Sequence, residues 1–166
     1  MDPAIFPTFG GDRSPLEFRV SAEEVVAFEF ADRQRAQAWA RYFSRGVNEE
    51  SSNALYQCGA GQRTFHIDST GRLRPCLMVR NESYSYDLKS GSFQSGWSEV
   101  IVRVREATAR VDYACNRCDK RILCGLCPGF NRIETASEDQ LSDYACAVGR
   151  LRFRAIQEEL SEGGTR

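Results

Sequence analysis

Cysteine spacing constrains this chain more than any other feature. Seven cysteines fall within 166 residues. Cys58 is followed by Gly71 and Cys76, then by Cys115, Cys118, Cys124 and Cys127, which form two Cys-x2-Cys pairs, and last by Cys146. Two short pairs bring four sulfurs within reach of one small volume, and thiolates are the soft ligands that zinc and iron–sulfur clusters select. An odd count cannot pair completely, and a chain of this length buries a core without staples, so a metal framework is favoured over a disulfide one.

Charge narrows the partners. With 22 basic against 23 acidic residues, the chain lacks the field that would steer it to nucleic acid or to an anionic membrane surface, and neither partner is expected. No apolar run approaches the roughly 20 residues of a membrane helix, and the opening MDPAIFPTFGGDRSP has no secretory signal pattern, so a reducing cytoplasm is the expected compartment.

The pattern along the chain predicts an α+β fold. Residues 1–20 hold three prolines and Gly10-Gly11 and read as an irregular lead-in. Ser21 to Glu24 spells a capping box, and Ala36, Trp39, Ala40 and Phe43 recur at helical spacing, so one or two helices fill 22–45. Phe65 and Ile67 alternate onto one face before the turn Asp68–Gly71, and Leu73 returns, which makes a β-hairpin uniting Cys58 with Cys76. A weak strand is expected at Tyr84–Leu88. A helix from Phe93 to Ala109 follows, with Trp97, Val100, Ile101 and Val104 on one side. Residues 112–131 have no sustained periodicity and are expected to be a loop organised by its ligands. A last helix, capped by Ser137 with Gln140, carries the stripe Leu141, Tyr144, Ala145, Val148, Leu151, Ala155 and Leu160, with Cys146 in its first turns.

His66, the only histidine, alternates with Phe65 and Ile67 and reads as a polar-face residue; a triad or a two-histidine metal site is excluded. Arg117, Lys120, Arg121 and Arg132 surround the central cysteines and could offset the negative charge of a thiolate cluster. Cys115, Cys118, Cys124 and Cys127 alone could satisfy tetrahedral zinc. That use strands Cys58, Cys76 and Cys146, and the compact spacing with Pro128 directly after Cys127 suits an iron–sulfur loop better.

The whole pattern resembles the SPASM domain, the seven-cysteine C-terminal extension of radical S-adenosylmethionine enzymes that mature peptides and proteins. Each element of that motif is met, except that two residues rather than three separate Cys124 from Cys127. Phe65-His66-Ile67-Asp68, Arg74-Pro75-Cys76, Tyr86-Asp87-Leu88, Gly91-Ser92-Phe93 and Cys127-Pro128 are also similar to the family. The likeness covers about 56–156, after a helical lead-in (1–55) similar to the link from a barrel and before a C-terminal tail (157–166).

The resemblance implies two auxiliary 4Fe–4S clusters, the first on Cys58, Cys76 and Cys127, the second on Cys115, Cys118, Cys124 and Cys146. An upstream eighth cysteine is absent from Glu50 to Gln57, which leaves the first cluster an open or non-cysteine position. It further implies electron transfer to or from a radical intermediate, a peptide or protein substrate, an external reductant, and a separate or missing barrel as partner. No cysteine precedes Cys58, so the Cys-x3-Cys-x2-Cys motif is absent, S-adenosylmethionine is not expected to bind this chain alone, and no residue is assigned a catalytic role. The chain then reads as a fragment, a split gene product or a freestanding remnant. The alternatives are a structural zinc-binding interaction module and a freestanding ferredoxin-like carrier.

Overall fold

In the computed structural model, which describes residues 5–46, 52–125 and 127–163, the elements in chain order are α1 (Ala22–Phe30), α2 (Arg33–Gly46), β1 (His66–Ile67), β2 (Arg72–Arg74), β3 (Tyr86–Asp87), α3 (Phe93–Glu99), α4 (Arg121–Cys124), α5 (Pro128–Thr135) and α6 (Asp143–Gly163). The parts of the lead-in at 1–4 and 47–51, Leu126 inside the second Cys-x2-Cys pair, and the last tail residues 164–166 lie outside the described residues. Helices with a small antiparallel sheet make this an α+β chain. Among the described residues no helix is long and apolar enough to cross a membrane.

The chain divides into two compact units. The first comprises 1–51, 117–126 and 141–166, the second 52–116 and 127–140. In the first, the predicted capping box opens α1: the Ser21 hydroxyl accepts from the Glu24 N–H at 3.1 Å and the Glu24 carboxylate accepts from the Ser21 N–H at 2.9 Å. Asp32 does the same for α2, its carboxylate accepting from the Arg35 N–H at 2.9 Å, so the 22–45 stretch becomes two helices. Both pack on α6, as does α4. Val25 and Val26 meet Val148, while Ala40, Leu123 and Ile156 form a second apolar cluster. Across this core Arg152 grips Glu29 with Nε and Nη2 at 2.8 and 2.7 Å and reaches the Leu123 carbonyl with Nη1 at 2.6 Å.

Two expectations for α6 need correction. Its cap is Ser142, whose hydroxyl accepts from the Ala145 N–H at 3.2 Å; the Ser137 hydroxyl is instead spent on Asp139 at 2.7 Å. Leu160 stands in solvent, and the buried stripe runs through Val148, Arg152 and Ile156, four residues apart on one face.

In the second unit β1, β2 and β3 pair in that order, Ile67 opposite Leu73 and Leu73 opposite Tyr86. The hairpin turns where predicted. The Asp68 carboxylate accepts from the Thr70 and Arg72 N–H groups at 2.9 and 3.1 Å, and Gly71 takes φ 87°, which a side chain would resist. Phe65 and Ile67 are 54% and 44% exposed, while Leu73 is fully buried. Phe65 lies edge-on to Phe93 and Trp97, ring centroids 5.1 and 6.4 Å away. Of the weak strand, Tyr86–Asp87 pairs into the sheet, while Glu82–Tyr84 forms a 3-10 turn.

The helix expected over 93–109 ends at Glu99, because Val100 leaves helical geometry at φ −121° and ψ −53°. A 3-10 turn, Ile101–Arg105, follows. Three residues per turn puts Ile101 and Val104 on the same side, and both are fully buried. The chain then extends so that Ala107 and Ala109 hydrogen-bond Leu55 and Asn53 at 2.8 and 2.9 Å. The expected ligand-shaped loop at 112–131 contains short helical pieces as well, Ala114–Arg117, α4 and the start of α5.

Candidate metal centre

Cys58, Cys76 and Cys127, the first expected ligand set, all belong to the second unit. Cys58 begins a loop that closes on itself and on Pro75: the Arg63 N–H donates to the Gly59 carbonyl at 2.8 Å, and the Thr64 hydroxyl donates to the Pro75 carbonyl at 3.0 Å. Cys76 follows directly. After it a tight turn forms, the Val79 N–H donating to the Cys76 carbonyl at 3.2 Å.

Cys127 caps α5, with Pro128 at the first helical position, where a missing N–H costs nothing. Its sulfur accepts from the Phe130 N–H at 3.4 Å. Gly129 lets this end of α5 come down on the Cys76 turn: a Cβ there would sit 2.5 Å from the Met78 carbonyl oxygen. The thiols of Cys58 and Cys76 are near enough to act on Cys127. Burial pushes the Cys127 thiol up, and those two neighbours add to the rise against the backbone N–H groups of Phe130 and Gly129.

Of the second expected set, Cys118, Cys124 and Cys146 belong to the first unit, whereas Cys115, a buried residue of the Ala114–Arg117 turn, belongs to the second. Cys118 starts the turn into α4, its carbonyl accepting from the Arg121 N–H at 3.4 Å. Cys124 ends α4 against α6. A Cβ on Gly149 would lie 2.8 Å from the Cys124 Cβ, and Gly149 is three residues beyond Cys146, hence on the same helix face. The Arg152 bond to the Leu123 carbonyl fastens the residue just before Cys124.

Lys120 is held by Asp119 at 2.6 Å and lies 4.4 Å over the Phe153 ring. In the second unit, Arg74 is only 6% exposed. Its Nη2 donates to Glu82 at 2.9 Å and its Nε lies 3.6 Å from the Asp68 carboxylate. Its Nη1 is buried with no acceptor among the described residues, an arrangement that costs about 1–3 kcal/mol when left unmade. Arg80 comes back beside it: burial lowers its pKa, Arg74 lowers it further, and Asp68, Glu82 and Cys76 oppose that shift.

Arg72 and Arg74 thus face the carboxylates of Asp68 and Glu82, just ahead of Cys76 in the chain. The buried Arg74 donors that lack an acceptor fit an anionic group such as a thiolate-bound cluster. On the Cys127 side the surroundings are hydrogen-bonded: the Tyr56 phenol donates to Glu138 at 2.9 Å, and Asn81 donates to the same carboxylate at 3.2 Å. Burial and then Glu138 push the Tyr56 phenol far up, with Cys127 among the lesser causes.

Neither Arg74, Arg80, Tyr56 nor Glu138 was singled out as functional from the sequence. The Arg74-Pro75-Cys76 string was the available signal. Among the described residues, no three Cys, His, Asp or Glu side chains converge as a single metal ion would require. Comparison of the chain with protein-family models, with curated proteins and with solved structures finds no match.

Proposed function

We propose that this chain is an iron–sulfur protein, with one 4Fe–4S cluster on Cys58, Cys76 and Cys127 and a second on Cys115, Cys118, Cys124 and Cys146. It serves as the auxiliary electron-transfer and substrate-holding part of a radical S-adenosylmethionine peptide- or protein-modifying system, working with a barrel partner and an external reductant. The supporting observation is the first group: two thiols bear on Cys127 from separate segments, and Arg74, two residues before Cys76, has buried donors without an acceptor among the described residues.

Cysteine count favours clusters over zinc, because one zinc on Cys115, Cys118, Cys124 and Cys127 would leave Cys58, Cys76 and Cys146 without a use. Tetrahedral zinc draws all its thiolates to about 2.3 Å from one point, whereas a cubane takes each thiolate on a different iron and holds them wider apart. When bound, such a cluster supplies one-electron transfer at a potential set by its charge and hydrogen bonds. The chain's own residues position the thiols, bury Cys127 in part and hold Arg74 two residues before Cys76.

Anaerobic iron and sulfide analysis with an absorption spectrum tests this reading. On the order of eight irons and eight sulfides per chain are expected, with sulfide-to-iron charge-transfer absorption. One zinc per chain without visible absorption would overturn it in favour of a structural zinc module.

A further inference from the structure

We propose that Glu29 and Arg152 are positioning residues for the second cluster, which hold Cys124 in register with Cys146. The inference rests on the iron–sulfur reading above but concerns side chains outside both ligand sets. Helix α4, which ends at Cys124, is four residues long. A single helical turn does not hold its own shape in water, and the last four carbonyls of any helix lack partners within it. The position of Cys124 is therefore set from outside α4. The Leu123 carbonyl accepts from Arg152 Nη1 at 2.6 Å. At the other end of α4, Lys120 lies 4.4 Å over the ring of Phe153, the residue after Arg152. The segment between Cys118 and Cys124 is thus pinned at both ends to one turn of α6.

Arg152 can anchor α4 because it is itself fixed. Its Nε and Nη2 donate to the two carboxylate oxygens of Glu29 on α1 at 2.8 and 2.7 Å, a charge-assisted fork that sets the plane of the guanidinium and aims the third nitrogen at Leu123. Cys146, Gly149 and Arg152 follow at intervals of three along α6, so they run along one side of the helix. That side carries a proposed ligand, then the glycine whose added Cβ would lie 2.8 Å from the Cys124 Cβ, then the arginine that holds Leu123. Outer partners that orient metal ligands change metal retention when removed, even though they touch no metal. Glu29 and Arg152 act in that way, through the backbone at Cys124.

The test compares three full chains reconstituted anaerobically with iron and sulfide: wild type, the double variant Glu29→Met with Arg152→Met, and Arg152→Lys. The double variant strands no buried charge yet leaves Leu123 without its donor. A lysine still meets Glu29, but its single ammonium lacks the fork that serves both partners. Circular dichroism of the same samples shows whether the helices are intact. Each chain is then exposed to an iron(II) chelator, and the dithionite-reduced clusters are followed by electron paramagnetic resonance. The second cluster is identified by its loss in Cys146→Ala and its survival in Cys58→Ala. In both variants it should disappear about tenfold faster than in wild type, while the first cluster decays at the wild-type rate. A merely structural role would change helix content or both clusters together. Wild-type decay of the second cluster in either folded variant would overturn the inference and leave the iron–sulfur reading standing, as would equal acceleration of both clusters. Arg152→Lys decides the matter if the double variant does not fold. A wild-type chain that takes up no iron and sulfide would remove both.

Discussion

Two hydrogen atoms set how closely the cysteine-bearing segments meet their neighbours. Alanine in place of glycine gains up to about 1 kcal/mol of helix propensity, but overpacking costs about 1–3 kcal/mol, and at Gly129 the obstructing atom is a backbone oxygen that cannot rotate away. Gly129→Ala should therefore destabilise the chain and deplete the cluster of Cys58, Cys76 and Cys127. Gly149→Ala, which crowds Cys124, should deplete the other cluster, and iron content with separate paramagnetic signals would distinguish the two. The same measurement applied to Cys127→Ala and Cys146→Ala should show different clusters lost; loss of one common cluster would overturn the ligand assignment. The cysteines stood out in the sequence as a candidate metal framework because metal chemistry restricts residue type and spacing together. Gly129 and Gly149 were not, since a glycine inside a helix carries no mark of what approaches it across the fold. Arg74 was visible as a letter before Pro75-Cys76, but its buried Nε and Nη1, without a hydrogen-bond acceptor among the described residues, are a property of the folded chain alone.

Helix α6 shows where element-level reading succeeds and where it stops. Its existence, its apolar face and the place of Cys146 follow from local periodicity. Its first residue does not, because Ser137 and Ser142 both offer a capping hydroxyl and only the bond to the Ala145 N–H decides between them. Ser142→Ala should cost about 1 kcal/mol in urea denaturation, and the hydroxyl of Ser137 should matter to Asp139 rather than to the helix. The early end of α3 was hidden for a related reason: Ile101 and Val104 fit a helical stripe equally well at three or at 3.6 residues per turn. The buried pair is the larger effect. Arg152 and Glu29 side chains are 8% and 11% exposed, so Arg152→Met, which strands the carboxylate, should lose about 3–5 kcal/mol. Replacing both partners by apolar residues should recover much of that loss, read from the same denaturation curves.

At the scale of the molecule, the α+β class was legible, because capping boxes, helical stripes and a hairpin turn are all local signals. The division into two units was not, since each is assembled from separated stretches of sequence and no linker marks the boundary. The absence of Cys-x3-Cys-x2-Cys carries a prediction that belongs to the whole chain: reconstituted protein with dithionite and S-adenosylmethionine should form no 5′-deoxyadenosine, and chromatographic detection of that product would contradict it. The late position of α6 bears on synthesis as well as on architecture. Val25, Val26 and Ala40 rest on Val148 and Ile156, yet Gly46 is translated about 117 residues ahead of Gly163. At about 5–20 residues per second, the N-terminal helices wait about 6–23 s for the helix that covers them. Through that interval the nascent chain presents an apolar face of the kind that chaperones at the ribosome engage.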